Sequence, residues 1–475
     1  MTEKEAKEKL SWSCWLRTMF ACSGAMMLFV FTGVVQAESA VLLPQLKGND
    51  STIHVTPEEE TWIASLGIFM SPVSALFVGP FIDVLGRKKG LLFFYINMGL
   101  GLSIIACASK VWHIYLGRCI CSFAVGLEVA AVVYMSETCP KELRSIILSI
   151  SSATLTIGIS ITYVIGGYLH WALASAIFAV GCFVYVIIQA LAPKTPPWLF
   201  KQGLKDDATR SLQQLGRSPS GILREIKLLE ISAPEHTERL SIGTFLDPTI
   251  YKPFLIILAF MFLQVLTGVY HIMYYTLNFV ERLGTTYDSL QVSIIIALAR
   301  MLGNLTVGGY STAFVSRKWA TALSAGLGAI VLALAAAYEF MYRSVPVGQK
   351  PHEWVPITLV VVNIAASMIA VTPLPWLMGG EVFPLRVRGS MSGAVFVVGS
   401  AMMFVFIKIY EELMELLQIW GMLFSYAVAS VVMVLFAVYL LPETQGKSLF
   451  EIEQGFLPKN KRLSREPEPA AEAIT

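Results

Sequence analysis

Long apolar runs, each about 20 residues and separated by short polar stretches, fill most of the chain, and their apolar residues are continuous rather than alternating. Six runs, near 19–44, 62–82, 91–109, 112–135, 145–169 and 171–192, precede a hydrophilic stretch, and six more, near 254–279, 290–315, 319–342, 355–380, 389–410 and 420–441, follow it. A helix of about 20 residues covers the ~30 Å hydrocarbon core of a bilayer. Backbone polar groups in lipid must be paired internally, which leaves helices or closed barrels, and continuous apolar runs select helices. The pattern predicts an all-α membrane protein of twelve transmembrane helices in two six-helix halves. Its segments are a tail (1–18), a first half (19–192), a middle loop (193–252), a second half (253–441) and a second tail (442–475). Within the loop, DDATRSLQQLG and SGILREIKLLEIS carry apolar residues at helical spacing, whereas the tail ending NKRLSREPEPAAEAIT lacks any period and is expected to be disordered.

Composition agrees with a bilayer as solvent. Of 475 residues, 55% are hydrophobic and 14% charged, and the mean hydropathy is +0.65, too apolar for an ordinary soluble domain. The net charge of +2 is spread over short loops, so nucleic acid is not an expected partner. The seven cysteines fall mostly inside apolar runs and read as packing residues rather than disulfides. No phosphate cradle, metal-ligand cluster or nucleophile motif is present in the sequence, so neither enzymatic chemistry nor a cofactor is expected. The charged N-terminus followed by a spanning run predicts no cleaved signal peptide.

The basic loops decide orientation. Arg87, Lys88 and Lys89, then Lys141 and Arg144, Arg317 and Lys318, and Arg386 and Arg388 all fall on one side if the runs cross alternately. The positive-inside rule makes that side cytoplasmic, and an even number of crossings places both termini there. The polar stretch after the first run contains Asn49-Asp50-Ser51, a glycosylation sequon. Two six-run halves with basic loops at matching positions are the sequence signature of parallel-repeat transporters, with a solute site near the midplane between the halves.

Four blocks carry more specific information: DVLGRKK from Asp83, GRCICSFAVGLEVAAVVYMSETCPKELRS from Gly117, PLPWLMGGEVFPLRVRG from Pro373, and PETQGKSL from Pro442. In this order, at these helix ends, they resemble the sugar porter family of the major facilitator superfamily, and within it the facilitated trehalose and glucose transporters. The charges in these blocks, Asp83, Arg87, Arg118, Glu137, Arg144, Glu381, Arg386 and Arg388, are read as lying at or near cytoplasmic helix ends, and all but Arg386 as forming a cytoplasmic gate. The resemblance implies that Glu137 with Arg388, and Glu381 with Arg144, tie the halves together. The alternative is that the basic members only snorkel and set topology. Pro373 and Pro375 interrupt the tenth run beside Trp376, either as a kink at a wet cavity or as a packing kink.

By the same resemblance the solute site draws on Gln264, Thr267, Tyr270, His271, Tyr274 and Tyr275 in the seventh run, on Trp376, and on Ser152 with its neighbour Ser151. His271 reads equally as a ligand contact and as a satisfied structural residue. Sugar-holding amides of the family pattern are replaced by Val265, Tyr270 and Ser152, its Asn-Trp pair by Gly399 and Ser400, and a loop acid by Ala313, while Lys194 and Pro197 alter another motif. The implied activity is facilitated diffusion of a hexose, trehalose or related polyol across the plasma membrane. The departures keep two rivals open, a transporter-derived sensor that does not transport and a carrier of a non-sugar organic solute. Phe31 precedes Thr32-Gly33-Val34 where proton-coupled members carry an acid, which favours a facilitator; Glu38, Glu128 and Arg300 nevertheless put charge inside runs. A proton role for Glu38 and a contact between Glu128 and Arg300 stay open.

Overall fold

A computed structural model describes residues 12–48, 53–231, 247–304, 316–384, 387–445 and 455–456. Among them nine helices are long and apolar enough to cross a bilayer, and three shorter apolar helices, Ala153–Tyr168, Ser289–Gly303 and Trp354–Ser367, occupy the remaining three places in the order. The sequon at Asn49, Arg386 and residues 446–454 and 457–475 of the C-terminal tail lie outside the described residues, as do the side chains of Arg144, Ser151, Ser152, Glu381 and Arg388.

In chain order the first six spans are Trp12–Lys47, Pro57–Leu85, Arg87–Ala106, Val111–Thr138, Lys141–Tyr168 and Trp171–Leu191. Span one packs along span five, and two glycines let the backbones touch. A Cβ on Gly33 would run into the carbonyl oxygen of Leu155, and one on Gly158 into that of Val30. Lipid supplies little hydrophobic drive between helices, so close approach through small residues does that work instead. Span two is two helices, Pro57–Phe69 and Ser71–Leu85, with Pro72 in the first turn of the second. The Met70 N–H at the junction donates to Ser122 Oγ of span four at 2.9 Å, so the interrupted ladder is satisfied by a neighbour, as a membrane interior requires. Span four is itself interrupted by a 3-10 turn, Gly126–Glu128.

Three short helices, Pro196–Lys201, Lys205–Gln214 and Pro219–Ile231, form the described part of the middle loop, the last two on the segments with helical spacing. They lie against the first half: Trp198 Nε1 donates to the Asp83 carbonyl at 2.9 Å and Arg217 to the Thr138 carbonyl at 3.0 Å.

The second half runs Pro248–Leu266, Val269–Tyr274 and Thr276–Arg282 (span seven), Ser289–Gly303 (eight), Arg317–Met341 (nine), Trp354–Ser367 and Leu374–Glu381 (ten), Arg388–Lys408 (eleven), and Tyr410–Tyr439, kinked at Gln418, whose last part is span twelve. Past that last helix, Glu443 of the PETQGKSL block reaches the N-terminus of span nine. It accepts from the Ser316 hydroxyl, from the Arg317 N–H at 3.1 Å and from the Lys318 N–H at 3.4 Å. An anion there meets both the orphan N–H groups and the positive end of the helix dipole.

Burial alone would raise the Glu443 carboxyl, but the bonds from Ser316, Gln445, Arg317 and Lys318 outweigh it and hold the group below its ordinary value of 4.5. A depressed folded value means stability that is present above the unfolded pKa and lost as pH falls through the folded one. Resistance to thermal unfolding in detergent should therefore fall as pH drops below about 4.5, and Glu443→Gln should flatten that part of the profile. An unchanged acid limb in the variant would remove Glu443 from the account.

Candidate functional site

Span seven holds most of the residues the sequence singles out, and it is broken in the middle. Its first helix ends at Leu266, where Thr267 Oγ1 donates back to the Gln264 carbonyl at 2.7 Å. Gly268 then takes φ +76°, a left-handed conformation that favours glycine, with the ring of Tyr426 stacked where a Cβ would stand. A second interruption follows at Tyr275. Span ten is broken as well, between Ser367 and Leu374, just ahead of Pro375.

The two breaks face each other. Gln264 Nε2 donates to the Thr372 carbonyl at 2.8 Å, and Trp376 Nε1 donates to the Tyr270 hydroxyl at 3.1 Å. Around this cross-tie three buried polar atoms have no partner among the described residues: Gln264 Oε1, Thr372 Oγ1 and Ser400 Oγ. Ser400 follows Gly399, whose missing side chain leaves room for Trp376 and Met261. Trp376 remains partly exposed and meets Phe396 edge-on at 5.4 Å. The result is an aromatic wall with unsatisfied donors and acceptors beside it, the kind of surface a hydroxylated solute would complete.

The other span-seven residues do different work. His271 is fully buried and uses both ring nitrogens, with Nε2 2.5 Å from the Phe406 carbonyl oxygen and Nδ1 2.6 Å from the Tyr426 hydroxyl. A carbonyl only accepts, so Nε2 carries the hydrogen and Nδ1 accepts from Tyr426. The ring also stacks on Phe406 at 3.9 Å. His271 thus ties span seven to spans eleven and twelve. Tyr275 stacks on Tyr410 at 4.1 Å, and the Tyr274 carbonyl accepts from Ser39 Oγ of span one at 3.2 Å.

That last bond belongs to a group of contacts joining the two sets of six spans at the end away from the basic loops. Tyr163 of span five shares a 2.7 Å hydrogen bond with Thr276, Lys408 donates to Thr61 and sits 4.6 Å over the Trp62 ring, and Phe404 packs on Phe69 at 5.0 Å. Among the described residues, the hydrogen bonds and ring contacts between the two sets lie at this end.

The sequence model of the sugar (and other) transporter family matches residues 17–456. The chain belongs to that family. Among curated relatives, the facilitated trehalose transporter Tret1 of Polypedilum vanderplanki is 27% identical over 441 residues, covering 91% of this chain and 87% of that protein. Tret1 of Bombyx mori is 28% identical over 428 residues, covering 88% and 83%. Tret1 of Drosophila willistoni is 26% identical over 454 residues and 95% of this chain, which spans only 52% of that longer relative. The fold is that of the proton:xylose symporter XylE bound to 6-bromo-6-deoxy-D-glucose, with TM-score 0.71 at 16% identity over 93% of this chain and 100% of the other. A partially occluded inward-open XylE from E. coli gives TM-score 0.72 at 16% identity over 91% and 100%.

Within this transporter, the charges of the sequence motifs separate into two places. Asp83, Arg87 and Glu137 come together at the basic end: Arg87 pairs with Asp83 at 2.9 Å and donates Nε to Glu137 Oε1 at 3.0 Å. Glu137 Oε2 is buried without a partner among the described residues. Arg118 is not part of this group, which corrects the gate assigned to it from sequence. It lies about 10 Å into span four from the opposite end, at a helical rise of about 1.5 Å per residue, and is fully buried. Its guanidinium pairs with Glu38 at 2.9 Å and donates to the carbonyls of Val35, Ile63 and Ala64. Position in a motif block did not distinguish a helix end from a helix middle; helix length does. Glu128 and Arg300 form no ion pair with each other.

Thr372, Tyr163 and Lys408 were missed by the sequence reading. Lys408 had a signal, as a basic residue at the end where the positive-inside rule does not favour one. Thr372 and Tyr163 had none, since both depend on which face of a helix turns inward.

Proposed function

We propose that the chain is a plasma-membrane carrier that moves a sugar or a related polyol by facilitated diffusion, with the two six-helix halves rocking about a shared site. The observation that carries this reading is the set of unpartnered polar atoms, Gln264 Oε1, Thr372 Oγ1 and Ser400 Oγ, placed beside the Tyr270–Trp376 pair at facing breaks in spans seven and ten. Buried polar groups are rarely left unpaired, and a polyhydroxylated ligand brings both donors and acceptors along with a C–H face for the indole. The relatives named as facilitated trehalose transporters support the same activity.

In this reading the basic loops and both termini are cytoplasmic. Contacts such as Tyr163–Thr276 and Lys408–Thr61 then close the outer side. The cytoplasmic gate is made by Asp83, Arg87 and Glu137, with Arg388, Glu381 and Arg144 completing the ties when the protein opens outward. The unpartnered Glu137 Oε2 is where a second cation would attach.

Counterflow in proteoliposomes tests the reading, with D-glucose, trehalose and a polyol as probes. Saturable counterflow, with net flux that vanishes at equal concentrations on the two sides, is the expected result, and binding without flux would identify a sensor instead. Trp376→Ala should reduce flux by more than about tenfold. Trp376→Phe, which keeps a ring but loses one neutral hydrogen bond to Tyr270, should cost only about 2- to 10-fold. Equal loss in both variants, or none in either, would detach Trp376 from the solute.

A further inference from the structure

Two arginines are buried to a similar degree inside the spans, and they are treated differently. Arg118 is 0% exposed and has a carboxylate and three carbonyl oxygens around it. Arg300 is 6% exposed, its Nε is sealed from solvent without an acceptor, and its guanidinium has no ion-pair or hydrogen-bond partner among the described residues. A buried ion without a counter-charge is heavily disfavoured, and inside a membrane such a residue is a functional candidate by default.

Its position is that of the solute site. Arg300 lies about 16 Å along span eight from Ser289, which is the midplane of a ~30 Å core. One turn earlier on the same face, Ala297 packs with Tyr163, Ile159 and Leu277, at the seam between the two halves. The groups acting on Arg300 electrostatically are Tyr163, Tyr270 and Tyr274. These are neutral phenols, and two already hold hydrogen bonds elsewhere, Tyr163 with Thr276 and Tyr270 with Trp376. They lie within the electrostatic reach of the guanidinium and supply no counter-charge. From the other half, Glu128 sits at the 3-10 interruption of span four, partly buried and likewise without an ion pair, and Tyr274 lies in the field of both charges.

We infer that the solute bound at this site carries a carboxylate, which docks on the Arg300 guanidinium while the rest of the molecule lies against Tyr270 and Trp376. A neutral sugar would leave Arg300 uncompensated, whereas a carboxylate matches the planar fork with paired, charge-assisted hydrogen bonds. The inference rests on the location of the proposed transport site and goes beyond its neutral sugars to carboxylated solutes as the substrate class. A carboxylate can arrive on a sugar acid or on an amino acid. Glu128 separates these, since only the amino acid brings an ammonium group to it.

The test uses the purified full-length protein, with ligand binding read separately from flux. D-glucuronate, γ-aminobutyrate, D-glucose and trehalose are compared by thermal stabilisation in detergent and by counterflow in proteoliposomes. Stabilisation by glucuronate or γ-aminobutyrate, weakened about 10- to 100-fold in apparent affinity by Arg300→Gln and less by Arg300→Lys, is the expected result. A further loss with Glu128→Gln for γ-aminobutyrate assigns the zwitterion, and no such loss with glucuronate preferred assigns the sugar acid. Binding by neutral sugars that neither carboxylate displaces from the wild-type protein overturns the inference, whatever the variants do. Carboxylate binding without flux would instead overturn the transport reading and leave the anion site in place.

Discussion

Replacing Arg118 by methionine should destabilise the detergent-solubilised protein by about 3–5 kcal/mol, the usual cost of leaving one member of a buried ion pair without the other. The Glu38 carboxylate would be stranded among spans one, four and six, with only a long 3.4 Å contact from Ser175, and the carbonyls of Val35, Ile63 and Ala64 would lose their donor. The second arm separates the charge from the packing. Replacing both members, Arg118→Met with Glu38→Leu, removes the stranded ion, so most of the lost stability should return. Thermal or denaturant unfolding of the three proteins measures the effect. A single variant within about 1 kcal/mol of wild type would mean that water or another cation reaches Glu38.

Gly268→Ala should have the second largest effect, through backbone and packing together. A side chain at φ +76° costs about 1–2 kcal/mol, and the new methyl meets the Tyr426 ring, which cannot step aside without breaking its bond to His271. Overpacking of this kind adds about 1–3 kcal/mol. The break in span seven would straighten or shift, moving Gln264 relative to Tyr270, so transport should be lost along with stability. In a Tyr426→Ala background, itself destabilised by the cavity and by the lost bond to His271, Gly268→Ala should add only the backbone share. Wild-type flux and melting in Gly268→Ala would sink the argument that the break is held by this glycine.

Much of the architecture could be read from the chain, and the reason is local. The positions of the spans follow from apolar runs because each segment in lipid must satisfy its own backbone, whatever its neighbours do. Gln264, Tyr270 and Trp376 could be singled out because their types suit a hydroxylated ligand and their blocks resemble those of a known family. Trp198, by contrast, reaches the Asp83 carbonyl from the middle loop, and nothing in its local sequence names that acceptor.

Charge partners were the least legible feature, because pairing depends on the rotation and depth of helices far apart in sequence. Arg87 and Arg118 both belong to recognisable motifs, yet one joins the group at the basic end with Asp83 and Glu137 while the other is sealed against Glu38 in the membrane interior. His271 could be read as a ligand contact until Tyr426 and the Phe406 carbonyl were seen on its two nitrogens.

By itself the sequence determined that this is an all-helical membrane protein with twelve spans, since a bilayer imposes its length and polarity on every segment separately. Only the tertiary structure decided that, among the described residues, Arg118 is compensated and Arg300 is not, and that Gln264, Thr372 and Ser400 carry polar atoms without partners. Those outcomes depend on which faces meet across the bundle, and a linear pattern of apolar residues does not encode which neighbour a buried charge will find.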